Sequence, residues 1–143
     1  MSVINELNRV LANNYALYLK TQNYHWHVEG PNFKNLHEQF QVQYEDLALQ
    51  IDVWAERIVI LGGEAPGTFN AMMQHSEIKD GDAYKKANEM VEDLLNDQKI
   101  VINSLKKLEE AAIAEKDSST EDMAISRIAE HQKIVWMLSA FLK

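Results

Sequence analysis

The sequence predicts an all-α protein: four long helices in a bundle, with a short extra helix in one long connection. Three observations predict it. The chain holds only two prolines and five glycines, and they cluster in just two places, so long unbroken segments are expected. The apolar residues of those segments recur at helical rather than strand spacing. At 143 residues the chain has the usual size of one domain and can bury a substantial core, so residues 1–143 are read as a single domain.

The elements follow in order. Ser2 can cap a first helix whose apolar stripe is Val3, Leu7, Val10, Leu11, Ala16, Leu17 and Tyr18. It runs to about Val28, where Glu29-Gly30-Pro31-Asn32 breaks it, and Asn32 can cap the next. The second helix has the cleanest pattern. Leu36 and Phe40 lie four apart, and from Phe40 onward Tyr44, Leu47, Ile51, Trp54, Ile58 and Leu61 alternate spacings of four and three, the heptad seam of a bundle with shallow crossing angles. Gly62-Gly63 ends it and Pro66-Gly67 confirms the break. Phe69, Met72 and Met73 make the next stretch more than a solvent loop, and a short helix is expected over Ala71–Ser76. A third long helix should start near Asp82. Its seam is Ala83, Ala87, Met90, Leu94, Val101, Leu105, Leu108 and Ala112, with Gln98 in one heptad slot. Ser118 with Glu121, or Ser119 with Asp122, has capping-box spacing for the fourth helix, which should turn Ile125, Ile128, Val135, Leu138 and Leu142 inward. A connection of about twenty residues between the second and third helices is too long for a tight hairpin, and one long crossover is the ferritin-like arrangement.

Composition excludes several functions. There is no cysteine, hence no disulfide framework, thiolate zinc site or redox thiol. The net charge of −8 repels phosphate backbones and attracts cations. Met1–Val10 lacks the basic and apolar regions of an export signal, and no stretch approaches the ~18 apolar residues of a membrane span. A soluble cytoplasmic protein is expected.

The chemistry concentrates between Asn23 and Gly63, which holds His25, His27, His37, Asp52 and Glu56. Imidazole nitrogen with carboxylate oxygen suits iron, zinc or manganese. Asp52 and Glu56 lie one turn apart, on one face of the second helix and roughly 6 Å from each other. His37 precedes Asp52 by fifteen residues, or ~22 Å of helix, so one ion cannot touch both within one chain. A two-fold axis that sets second helices antiparallel would bring His37 of one copy to Asp52 and Glu56 of another and create two equal sites. His25 can approach His37 across the short loop. His25 and His27 point about 200° apart on a helix and cannot share an ion there. His75 and His131 have no carboxylate partner pattern and read as ordinary residues. Met72-Met73 reads as packing. The residue three after Glu56 is Val59, so the Glu-x-x-His pattern of a centre inside one bundle is absent.

The string YHWHVEGPNFKNLHEQF, followed by DVWAERIVILGG, resembles the Dps family of mini-ferritins in order and spacing. Thr120–Asp122 and Trp136–Leu138 resemble its fourth helix. The resemblance covers nearly the whole chain. It implies a four-helix bundle with a short helix in the crossover, a homo-oligomeric shell of twelve subunits, and oxidation of ferrous iron with hydrogen peroxide or oxygen. Ferric product would be stored inside, against oxidative damage. By position, the iron ligands and catalytic residues would be His25 and His37 from one subunit, with Asp52 and Glu56 from its two-fold mate. Trp26 would sit beside the site to quench radicals. Asp122 would line an acidic pore, ahead of Asp117 and Glu121, and Glu38 and Glu45 would face the cavity.

Two departures stand out. The family commonly has an aspartate one turn after the second histidine, where this chain has Gln41, a poorer ligand for a hard cation. Members that bind DNA often carry a basic tail, whereas Ser2–Gln22 contains only Arg9 and Lys20. DNA binding is therefore not expected. The competing readings are a shell that coats DNA, and a structural helical shell whose metal site is weakened or holds zinc.

Overall fold

The computed structural model describes residues 2–143. Met1, the first residue of the stretch read for an export signal, lies outside the described residues. The first helix, α1 (Val3–His27), is capped as its sequence implies: the Ser2 hydroxyl accepts from the Asn5 N–H. Helix α2 spans Phe33–Ile60 without interruption; Asn32 occupies its N-cap position but makes no side-chain capping bond. Gly62, at φ 88°, turns the chain left-handed after α2, a conformation only glycine adopts without strain. Gly63 then closes on the bundle so tightly that an added Cβ would lie 3.0–3.1 Å from Ile58 and Ile4.

Helix α3 is Phe69–His75, starting two residues before the expected Ala71 because the Thr68 hydroxyl accepts from the Ala71 N–H. Helix α4 is Ala87–Ala114, which begins later than the expected Asp82. The Asp82 N–H is instead bonded to the Tyr24 hydroxyl, and a turn closed by the Lys85 N–H on the Asp82 carbonyl follows before the helix begins. Helix α5 is Ser118–Leu142. Its cap is Asp117, whose carboxylate accepts from the Thr120 N–H at 3.1 Å, rather than Ser118 or Ser119. Among the described residues there are five helices and no strand, and no helix is long and apolar enough to cross a membrane.

Side-chain contacts give the topology. His25 meets His37 and Tyr18 meets Tyr44, so α1 and α2 run antiparallel. Val3 bonds to Glu115 and Lys20 to Asp93, so α1 and α4 do as well. Gln98 meets His131, and Arg57 meets Thr120 while Asp46 meets Arg127. Helices α4/α5 and α2/α5 are therefore antiparallel too. It follows that α2 and α4 are parallel, and the chain must travel the length of the bundle between them, which is why the crossover is long. Helix α3 and the residues around it strap along α1. Two pins hold the strap: Asn13 exchanges two hydrogen bonds with Glu77, and the Tyr24 hydroxyl donates to Asp93 as it accepts from Asp82.

The core is the heptad seam read from the sequence. Leu36, Phe40, Leu47, Trp54 and Ile58 from α2 are buried against Leu7, Leu11 and Leu17 from α1 and Met90, Leu94, Val101, Leu105 and Leu108 from α4. Helix α5 departs from expectation. Ile125 is exposed, and the buried row is Thr120, Ala124, Arg127, His131 and Leu138. Polar residues can take these positions because partners meet them. Arg127 forks onto Asp46, and His131 donates from Nδ1 to Gln98 Oε1 at 2.6 Å while its Nε2 accepts from Arg127. His131, read from sequence only as an ordinary residue, is thus a wired core residue. Met72 packs on the core edge, whereas Met73 is exposed, so only half of that pair packs.

Candidate metal centre

The corner between α1 and α2 brings His25 and His37 together. The Glu29-Gly30-Pro31-Asn32 break reverses the chain, and the antiparallel register then sets residue 25 beside residue 37. Their rings stack with centroids 3.8 Å apart and planes within 12°. Each ring bonds through Nδ1 to the other's backbone carbonyl, at 2.6 Å from His25 to His37 O and 2.7 Å from His37 to His25 O. A carbonyl only accepts, so both Nδ1 atoms carry the proton. Both Nε2 atoms therefore keep a free lone pair, the form in which imidazole binds a metal. Phe33 stacks on His37 at 5.0 Å and Tyr44 sets its edge against His25 at 5.2 Å. His25 is buried and His37 half-buried, which fixes both rings by packing as well as by hydrogen bonds.

Asp52 and Glu56 are exposed, and among the described residues neither has an ion-pair partner in its own chain. Because α2 is unbroken, His37 and Asp52 stand ~22 Å apart along its axis. Within one chain, no cluster of three or more His, Asp or Glu capable of holding a metal forms among the described residues. The carboxylates instead sit in a bare apolar row. Val42, Leu49, Val53 and Ile60 are exposed along the same side of α2, Leu49 by 69% and Ile60 by 70%. Leu49, Asp52, Val53, Glu56 and Ile60 succeed each other at spacings of three, one, three and four, so acids and apolar residues share one face. Soluble proteins seldom leave such a row to water without a partner.

The remaining candidate residues divide. Trp26 is 56% exposed; its ring pairs with His27 and, together with Phe33, lines an open hollow. His27 is exposed and bonded to Asn23. Gln41, one turn after His37, is exposed and donates its amide to Glu45 at 2.8 Å. Glu38 pairs loosely with Lys34. His75 is exposed. Asp122 is exposed on the first turns of α5. Asp117, by contrast, is engaged with Arg57 and Thr120. Burial pushes its carboxyl up, but the two Thr120 hydrogen bonds and the Arg57 charge together outweigh that and hold it below the usual range. Sequence reasoning missed Tyr44 as a neighbour of His25. The signal was present, since Tyr44 lies seven residues after His37, two turns on along the same face of α2.

Four long helices in two antiparallel hairpins, one long strap between them and a pair of stacked imidazoles at the first corner make a ferritin-like bundle. The family model for the ferritin-like domain matches residues 4–143. The chain is 39% identical over 137 residues to a DNA protection during starvation protein of Brevibacillus brevis, covering 96% of this chain and 92% of that one. It is 37% identical over 140 residues to DNA protection during starvation protein 2 of Bacillus anthracis, covering 98% and 96%. The crystal structure of a Dps protein from Bacillus brevis superposes with a TM-score of 0.96 at 39% identity, covering 99% of this chain and 95% of that one. That of Vibrio cholerae Dps, described as a member of a broad superfamily of ferritin-like diiron-carboxylate proteins, gives 0.95 at 33%, covering 99% and 89%. The chain belongs to the Dps family of ferritin-like proteins.

Proposed function

We propose that this chain is the subunit of a hollow shell, of twelve copies by family likeness, that oxidises ferrous iron with hydrogen peroxide (or oxygen) and stores the ferric product. The observation that carries the reading is the reciprocal bonding of His25 and His37, which leaves two Nε2 lone pairs side by side. Asp52 and Glu56 of a two-fold mate complete the set, and the apolar row around them supplies the contact. Two neutral nitrogens and two carboxylates suit an iron substrate. Peroxide takes one electron from each of two ferrous ions; its O–O bond breaks and two hydroxides form. The imidazoles fix the first iron without any rearrangement, because their tautomers and ring planes are already set. The carboxylates offset the charge that grows as iron becomes ferric. Gln41 offers only a neutral oxygen, so one iron is held more tightly than the other. Asp122 belongs to the acidic entrance for cations, and Trp26 borders the site.

The relatives' name speaks of protecting DNA. In this chain that protection acts by removing iron and peroxide together in the cytoplasm, not by coating. The charge is −8, Lys20 is buried in ion pairs with Asp93 and Asp97, and Arg9 faces Glu6 and Glu77.

A subunit-mixing experiment tests the shared site. His37→Ala and Asp52→Ala shells should each lose the rapid ferric absorbance rise when Fe²⁺ and then peroxide are added. Co-expressed, the two variants pair at random, and one site in each mixed dimer is whole, so about a quarter of the sites should recover. Mixed shells as inactive as the parents would mean that all ligands come from one chain.

A further inference from the structure

The imidazole pair is the head of a longer aromatic chain. Tyr44 lies edge-on to His25 at 5.2 Å, Tyr18 to Tyr44 at 6.0 Å, and Tyr15 to Tyr18 at 6.2 Å. Each step is within the range of a direct aromatic contact. Three of the chain's five tyrosines therefore form one continuous file along the α1/α2 seam, starting at a metal-ready histidine. All three are half-buried, unlike the leucines and Phe40 that fill the rest of that seam. The Tyr18 hydroxyl accepts from the Gln22 side chain at 3.2 Å, so its environment is polar. The file ends at Tyr15, in the wall of a surface groove that also holds Leu19, Trp26, Met72 and Met73. Trp26, in contrast, is paired through its ring only with His27 among the described residues, so direct ring contact joins the site to the tyrosines and not to the tryptophan.

We propose that Tyr44, Tyr18 and Tyr15 carry one-electron oxidising equivalents from His25 to the groove, sparing the site. The proposal rests on the ferroxidase reading above, which supplies the oxidant. A single ferrous ion that meets peroxide gives it one electron; the O–O bond breaks, and hydroxide and a hydroxyl radical form. The radical takes the phenolic hydrogen of Tyr44, giving water and a Tyr44 phenoxyl radical. Tyr18 then returns a hydrogen to Tyr44, its electron crossing the ring contact and its proton passing through solvent water. Tyr15 restores Tyr18 in the same way. The radical rests on Tyr15, where a thiol or other small hydrogen-atom donor in solution can quench it. The weak ligand Gln41 makes such a route useful, because a lone iron is the case that produces an odd electron.

The assembled shell is loaded with less than one Fe²⁺ per site and treated with peroxide and a nitrone spin trap. Adducts are located by peptide mass spectrometry while ferric absorbance is followed in parallel. The wild type should carry the adduct on Tyr15. Tyr18→Phe keeps the ring and the fold but breaks the file. It should keep the ferric rise, lose the Tyr15 adduct and retain one on Tyr44. Tyr15→Phe should move the terminal adduct to Tyr18. Equal Tyr15 labelling in Tyr18→Phe, or a normal ferric rise with no tyrosine adduct in the wild type, would overturn the route and leave the ferroxidase reading standing. Absence of the ferric rise in the wild type would overturn both.

Discussion

At the two candidate histidines the decisive atoms are the Nδ1 protons, because donating them to backbone carbonyls leaves both Nε2 lone pairs free. The weak member beside them is Gln41, an amide where a carboxylate would hold a hard cation better. Gln41→Asp should add a tighter second step, by about tenfold, to the anaerobic Fe²⁺ binding isotherm. An isotherm identical to wild type would show that residue 41 does not border the iron. A different histidine should weaken the fold in acid. Burial, then the Arg127 charge, pushes His131 down to about 3, with Gln98 and Asp46 the other groups facing its network. A proton on Nε2 would point at the Arg127 guanidinium. The unfolded chain binds that proton at its ordinary pKa near 6.5, so below that pH the unfolded state takes up more protons than the folded one. Stability is then lost as pH falls from about 6.5 toward 3. His131→Gln should flatten the fall in melting temperature between about pH 6.5 and 4 relative to wild type; parallel curves would remove His131 as the cause.

Among the elements, the apolar seams of α2 and α4 were legible from their period, Gln98 in the α4 seam included, whereas α1 also buries Asn13, Asn14, Lys20 and Thr21, which its apolar stripe does not announce. Helix α5 was not legible. Its inner row contains Arg127 and His131, which are tolerable inside only through Asp46 on α2 and Gln98 on α4, and no local pattern announces partners that distant. The start of α4 was misplaced for a similar reason, since the pin on Asp82 comes from Tyr24. Of the site, sequence spacing gave the separation of imidazoles from acids. It could not give the mutual Nδ1–carbonyl bonds, which exist only once the corner between α1 and α2 has closed. The α5 start also differs from the capping-box reading, and this can be tested. Asp117 both caps α5 and holds Arg57. Asp117→Ala should lower stability in denaturant unfolding by about 1–2 kcal/mol. Asp117→Asn, which keeps the cap acceptor, should recover part of that loss. No change in the alanine variant would mean that Thr120 and Arg57 find other partners.

For the whole molecule, charge argues about partners. On the proposed reading, the net charge of −8 outweighs the exposed lysines and works against counterion release from a duplex. The assembled protein should leave plasmid mobility unchanged on a gel at about 150 mM salt; strong retardation would restore the DNA-coating reading. The topology has a separate consequence. The bundle is two hairpins, α1–α2 and α4–α5, tied by the strap, and every proposed ligand and every tyrosine of the file lies in the first. On the proposed reading the second hairpin supplies Asp122 at the entrance and the wiring of the core, but no iron ligand. On that reading, iron chemistry and scaffold fall in separate halves of the polypeptide. A chimera that exchanges residues 87–142 for the corresponding hairpin of a relative should change solubility and acid tolerance while keeping the same reaction.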